Sequence, residues 1–229
     1  MSPGVNQHAI APRRARSLAS DLLGWYEESA RDLPWRHSRD PYAIWVSEVM
    51  LQQTRVEVVA GRWQRFLDRF PDIEALAAAD EADLLAEWAG LGYYRRVKSL
   101  GRAARVLVDR GVRELPRSAA ELRLLPGFGA YTAGAVASIA FGEPVPAVDG
   151  NVERVFARLL AFEEDPSRGE ARKTVVAAAT SLLDRADPAL LNQALMELGA
   201  TVCTPRAPRC GDCPWSGRCR ARALGAVED

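Results

Sequence analysis

The sequence predicts an all-α protein, and three observations predict it. Apolar residues recur at intervals of three and four along successive segments, the spacing of one helix face. Alanine and leucine, both strong helix formers, are abundant. No two segments alternate in the way a strand pair would. Within 229 residues, 48% hydrophobic and 26% charged content is enough to build a sizeable core in one or two domains.

Residues 1–17 carry arginines but no apolar run, which excludes a secretory signal and suggests a loose basic arm, flexible over 1–11. Helical periodicity then runs over 14–30, 41–53 and 55–70, where Pro71-Asp72 breaks it. It resumes over 73–79 and 81–90 and stops at Gly90-Leu91-Gly92. The segment 93–110 ends at Gly111, and 119–125 ends at Pro126-Gly127. A further segment over 130–142 is closed by Pro144 and Pro146. The last three, over 151–163, 171–186 and 188–200, are separated by Asp165-Pro166 and Asp187-Pro188. The longest apolar stretches, such as AVASIAF at 135–141, fall far short of the ~18 residues of a membrane span.

Thirty basic and thirty acidic residues cancel, so net charge does not announce a nucleic-acid partner. The basic residues are nonetheless clustered. Arg95, Arg96, Lys98, Arg102 and Arg105 share one segment, and its bland reading is a solvated helix face. Arg206 and Arg209 lie between two cysteines, where a rigid loop would make them a phosphate grip.

All four cysteines, Cys203, Cys210, Cys213 and Cys219, sit in one C-terminal stretch with the spacing C-x6-C-x2-C-x5-C. Two disulfides there would leave the rest of the chain unstapled, unlike a small secreted scaffold. Zinc usually takes two close pairs, and only Cys210 and Cys213 form one. A cubane iron–sulfur cluster accepts uneven spacing more readily, and reduced thiols able to hold one imply an intracellular, cytoplasmic protein.

Three further features can carry chemistry. Leu125-Pro126-Gly127-Phe128-Gly129 is a tight turn between helices, and the backbone N–H groups opening the second helix can hold a phosphate, with a monovalent cation as a candidate bridge. A plain corner between helices is the alternative. Asp149 precedes a helix, where it is either an N-cap or an ionised carboxylate that steadies a sugar cation. Glu48 lies among apolar helical neighbours, which implies either a salt-bridge partner or a desolvated acid able to donate a proton. One acid and one anion is the division of labour of glycosidic-bond cleavage. His8 and His37 form no ligand or triad pattern.

Taken together, LPWR at 33–36, SEVMLQQT at 47–54, GLGYYRR at 90–96, LPGFG at 125–129, VDGNVERV at 148–155 and NQALMELGATVCTP at 192–205 resemble the MutY-type adenine glycosylases of the helix–hairpin–helix superfamily. The resemblance runs from about Leu33 to Cys219. It implies a two-lobed fold: a six-helix barrel with the hairpin over 33–141, and a [4Fe-4S] lobe made of 12–32 with 142–229, Asp149 facing the cleft between them. It also implies a monomer acting on double-stranded DNA with a mismatch or oxidised base, excising adenine opposite guanine or 8-oxoguanine, with no membrane partner.

Carried over residue by residue, Glu48 protonates N7 of an extruded adenine, Asp149 stabilises the cation at C1′, and Asn151 orients the carboxylate. Tyr131 stands where bifunctional relatives carry a nucleophilic lysine, so the resemblance implies base excision without strand cleavage. Trp35, Arg36 and Gln193 are expected to line the adenine pocket; Gln53, Thr54, Leu91 and Tyr93 are expected to fill the stack and touch the opposite base. Gly127 and Gly129 shape the hairpin, and the four cysteines bind the cluster. Typical members continue into a domain that recognises 8-oxoguanine; ten residues follow Cys219 here, so the resemblance does not extend to a strong preference for that base over guanine. Excision of thymine or uracil opposite guanine, or of hypoxanthine, is the closest alternative, and a non-catalytic iron–sulfur DNA-binding module is the more distant one.

Overall fold

Short polar side chains set where the helices begin. The computed structural model describes residues 10–184 and 186–227. In it, Asp40, Asp72, Ser118, Asp149 and Asp187 each accept a hydrogen bond from a backbone N–H of the helix they precede. Such caps satisfy donors that a helix start leaves open, each worth about 1 kcal/mol. The Pro71-Asp72 and Asp187-Pro188 breaks of the sequence are thus helix starts as much as stops.

The elements fall into two compact units, Asp32–Glu143 and the segments on either side of it. The first contains α2 (Pro41–Leu51), α3 (Val56–Arg69), α4 (Ile73–Ala78), α5 (Glu81–Glu87), α6 (Arg95–Asp109), α7 (Ala119–Leu122) and α8 (Ala130–Phe141). A 3-10 turn at Pro34–His37 precedes them. Trp45, Trp88, Phe66 and Met50 fill its core, and Trp45 stacks on Phe128 of the hairpin at 5.2 Å. The second unit contains α1 (Pro12–Ser29), α9 (Gly150–Leu160), α10 (Gly169–Leu183), α11 (Pro188–Thr201) and α12 (Arg220–Leu224). Leu18, Leu22, Phe156, Leu195, Leu198 and Trp215 form its core.

The fold is all-α, with no strand among the described residues. Several predicted segments are shorter than their periodicity. Residues 52 and 53 leave α2 for a turn, 88–94 belong to no helix, and 119–125 yields only the four-residue α7. Residues 1–9 of the expected arm lie outside the described residues; Ile10 is buried in the core, and α1 starts at Pro12. No described helix is long and apolar enough to cross a membrane.

Candidate functional site

Glu48 is held inside the first unit by its own helix. Every α2 residue from Tyr42 to Met50 is buried, and Glu48 is 5% exposed. The Tyr131 hydroxyl of α8 donates to its Oε2 at 2.6 Å. Four residues after Glu48, the Gln52 amide donates to Thr132 Oγ1 at 3.1 Å, so two successive α8 side chains tie that helix to α2. A phenol donor serves a carboxyl oxygen in either protonation state, so this contact survives the gain or loss of a proton by Glu48.

Asp149 takes the cap role that the sequence offered. Its Oδ1 accepts from Val152 N at 2.9 Å and its Oδ2 from the Asn151 amide at 2.7 Å. The sequence suggested that such bonds keep it ionised. In the structure, burial dominates and raises its pKa above the ordinary value, while the bonds from Val152 and Asn151 and the charge of Arg154 pull it down. A half-buried carboxylate held by such neighbours interacts more strongly with a cation beside it than an exposed one does.

Asn151 is itself positioned. Its Oδ1 accepts from Arg154 at 2.8 Å, and Arg154 also donates to the carbonyls of Gly199 at 2.8 Å and Cys203 at 2.7 Å. The carboxylate is therefore linked through Asn151 and Arg154 to the main chain of the first cysteine. Helices α9 and α11 meet so closely here that a Cβ on Gly199 would lie 2.6 Å from Asn151 Cβ and 2.8 Å from its carbonyl oxygen. Gly199→Ala must shift backbone, which costs about 1–3 kcal/mol. We expect its melting midpoint to fall by roughly 2–10 °C, measured by circular dichroism; an unchanged midpoint would contradict the close packing.

Two loops of the first unit carry the residues expected to enter the stack. The turn after α2 is of type II, with Gln52 at φ −59°, ψ 114° and Gln53 at φ 55°, closed by Thr54 N to Leu51 O at 3.3 Å. Gln53 is exposed in a position that favours glycine. Tyr93 is also left-handed, at φ 45°, and is 61% exposed. Each such residue costs on the order of 1–3 kcal/mol unless its surroundings hold it. Leu91, expected to be part of the filler, is 4% exposed and offers only its carbonyl, which accepts from Thr54 Oγ1 at 3.2 Å.

At the hairpin, Gly127 has φ 83°, and a Cβ there would lie 2.6 Å from Ser99 Cβ, so both conformation and space require glycine. Gly129 caps α8 without a side-chain bond, and a Cβ there would meet nothing within 4 Å. Gly129 thus brings no side chain over the start of α8, the kind of helix end where an anion can bind. Of the pocket candidates, Trp35 is buried edge-on against Trp63 at 6.3 Å, Arg36 is half-buried, and the Gln193 amide donates to Ala189 O of its own helix at 3.1 Å. The basic segment of α6 is not one solvated face, since some of its cations bond within the first unit. Lys98 pairs with Glu81, and Arg105 donates to the carbonyls of Ala77 and Ala79.

The four cysteines are free of disulfides and line one cavity with Val155, Leu159, Leu198 and Trp215. Among the described residues, no three His, Cys, Asp or Glu side chains are grouped so as to hold a single metal ion. Zinc requires four sulfurs about 2.3 Å from one atom, whereas a cubane takes one thiolate at each corner, so sulfurs ringing a cavity fit the cluster. Burial holds the Cys213 thiol at about 11, so the metal-free protein keeps a proton there that cluster assembly must displace. Arg158, buried, donates to Cys203 Sγ at 3.5 Å and to the carbonyls of Thr204 and Pro205 at 2.6 and 3.1 Å. Arg206 is exposed, and Arg209 is partly occupied by Thr201 O and Asp212.

Sequence reasoning missed Arg154 and Arg158, which it had no local signal to separate from surface cations. It also passed over Asn192, whose buried amide accepts from Ala147 N and donates to Val145 O. These bonds hold the extended lead into Asp149.

Residues 46–179 match the model of the HhH-GPD superfamily base excision DNA repair proteins. The chain belongs to that superfamily. Residues 203–219 match the iron–sulfur binding domain of endonuclease III, which with the ring of thiols supports a [4Fe-4S] cluster in this HhH-GPD protein. The human adenine DNA glycosylase is 47% identical over 215 residues, covering 90% of this chain and 39% of its own. The adenine DNA glycosylase of Mycolicibacterium smegmatis is 45% identical over 206 residues, covering 90% of this chain and 69% of its own. The chain thus spans about two fifths of the human protein's length. Among solved HhH-GPD-like structures, a thermostable thymine-DNA glycosylase aligns with a TM-score of 0.84 at 28% identity, over 94% of this chain and 100% of that one. Endonuclease III in a non-covalent DNA complex aligns at 0.76 and 23% identity, over 94% and 98%, and shares the fold.

Proposed function

We propose that this protein is a monofunctional DNA glycosylase that hydrolyses the N-glycosidic bond of an adenine mispaired with guanine or 8-oxoguanine. What carries the reading is alignment of 90% of the chain at 45% identity with an adenine DNA glycosylase, with a buried acid and a desolvated, capped carboxylate in place.

The start of α8 behind Gly129 and the exposed Arg206 hold phosphates of double-stranded DNA, and a monovalent cation at the hairpin would serve the same contact. Extruding the adenine costs a few kcal/mol, offset when Gln53 and Tyr93 enter the stack and Thr54 supports them. Trp35, Arg36 and Gln193 line the pocket, Gln193 after releasing Ala189 O. Glu48 then gives its proton to N7, so that the C1′–N9 bond breaks with its electron pair leaving on a neutral adenine. Asp149, oriented by Asn151, stabilises the cation at C1′ until water adds and loses a proton. Tyr131 holds Glu48 and has no amine with which to attack the sugar. The cluster bound by Cys203, Cys210, Cys213 and Cys219 fixes the loop of Arg206 and Arg209 and takes no part in the bond change.

A single-turnover assay over A·8-oxoG, A·G, T·G, U·G and hypoxanthine duplexes tests the substrate. Excision confined to the two adenine duplexes, with strand breakage only after alkali, is expected. Turnover of T·G instead of adenine would favour the reading suggested by the thymine-DNA glycosylase fold match, and no turnover of any duplex would leave a binding module.

The electrostatics of Asp149 also predict a pH effect. Its raised pKa means that protonation begins at higher pH than for an ordinary aspartate near ~3.9. Its contribution to fold stability is full below that ordinary value and is lost as pH rises through the raised one, so acid removes activity while this contribution grows. Asn151→Ala deletes a bond that lowers the pKa, so the acid limb of the excision rate should move to higher pH. A limb that stays put in the pH–rate profile would contradict the assignment.

A further inference from the structure

The two left-handed loop residues share one support. Arg96 leaves the first turn of α6 and turns inward, where one terminal nitrogen donates to the carbonyls of Val49, Met50 and Gln52 at 2.8, 2.9 and 2.5 Å. The other donates to Thr54 Oγ1, Leu91 O and Gly92 O at 2.9, 2.9 and 3.1 Å. The first set closes the end of α2 behind Gln53; the second closes the loop that carries Tyr93. Thr54 bridges both, since its hydroxyl also donates to Leu91 O. The guanidinium lies 5.3 Å from the Trp88 ring centroid and 5.6 Å from that of Tyr93. Its Nε, buried and without a hydrogen-bond partner, is spent on none of these contacts.

This concentration of bonds has a physical meaning. A planar fork with fixed donor directions can hold two loops in register, which a lysine ammonium at one point cannot. Both exposed tips, Gln53 and Tyr93, occupy conformations that free loops would leave. Contacts that fix them before DNA arrives remove an ordering cost from the moment of binding.

We propose that Arg96 is a positioning residue for base extrusion: one guanidinium holds the Gln53 and Tyr93 loops in the paired conformation that takes the place of the extruded base. The proposal rests on the glycosylase reading above and adds a residue to it. Arg96 touches neither base nor sugar in this scheme. Its effect is felt while the adenine leaves the stack and not while the glycosidic bond breaks.

That separation gives the test. The full, cluster-loaded chain and its Arg96→Lys variant are compared under single turnover on an A·G duplex and on the same strand with the adenine in a one-nucleotide bulge, where little unstacking remains. The variant should be slower by on the order of 10- to 100-fold on A·G and within about 3-fold of wild type on the bulge, since extrusion energy is what differs between the substrates. With 2-aminopurine beside the target, it should also show a weaker fluorescence rise on binding A·G, a readout that needs no excision.

Equal losses on both substrates, as expected if Arg96 only steadies α2 and Glu48, would overturn the proposal; so would an unchanged rate on A·G. Should Arg96→Lys fail to fold, Arg96→Gln, which keeps a planar donor with less reach, is compared in its place, and the same pattern or its absence decides. If wild type releases adenine from neither substrate, the glycosylase reading fails first and the proposal falls with it.

Discussion

Asp149→Asn should fold, load its cluster and bind A·G duplex with wild-type affinity, and should lose excision by on the order of 10³-fold or more. Asparagine is as good an N-cap as aspartate, so the bond from Val152 N and the start of α9 survive the change. The charge does not survive. A neutral amide among the same donors cannot steady a cation at C1′, and the loss falls wholly on the bond-breaking step. Single-turnover rates and binding isotherms on the same duplex read the two quantities apart. Turnover near that of wild type would remove Asp149 from the chemistry and leave it as a cap alone.

Glu48→Gln should cost roughly 10²- to 10⁴-fold in excision with binding unchanged, the range for losing a positioned general acid. The glutamine oxygen can still accept from the Tyr131 hydroxyl, so the link between α2 and α8 persists. The missing element is a proton for N7, without which adenine departs as an anion. A substrate whose base leaves readily without protonation should be affected less, and rates on such an analogue separate acid catalysis from pocket damage. An equal loss of affinity and rate would instead make Glu48 a structural part.

The helices were legible because their signals are local. A stripe at three- and four-residue spacing and an aspartate before proline act within one turn of themselves, so α9 behind Asp149 and α11 behind Asp187 could be placed from the chain alone. The hairpin could be too, since Gly127 needs its left-handed φ whatever surrounds it.

What escaped sequence reasoning depends on distant partners. Gln53 and Tyr93 leave the helical pattern because Arg96, far along the chain from Gln53, fixes their loops. Arg154 and Arg158 read as surface cations until α9 brings them to the carbonyls around Cys203. The cap of Asp149 was readable, but its raised pKa was not, because desolvation is set by the whole surrounding fold. The spacing of the cysteines showed a metal centre and left its type open; the ring they form about one cavity and the match of 203–219 to an iron–sulfur binding domain resolve it.

The central claim is that two differently held carboxylates make this chain an adenine-excising enzyme. Identifying the base released from an A·G duplex by mass, under single turnover and beside Asp149→Asn, tests it most directly. Free adenine from wild type, with an alkali-labile site at the adenine position and neither product from the variant, is the predicted result. Release of a different base, or equal adenine release by the variant, would contradict it.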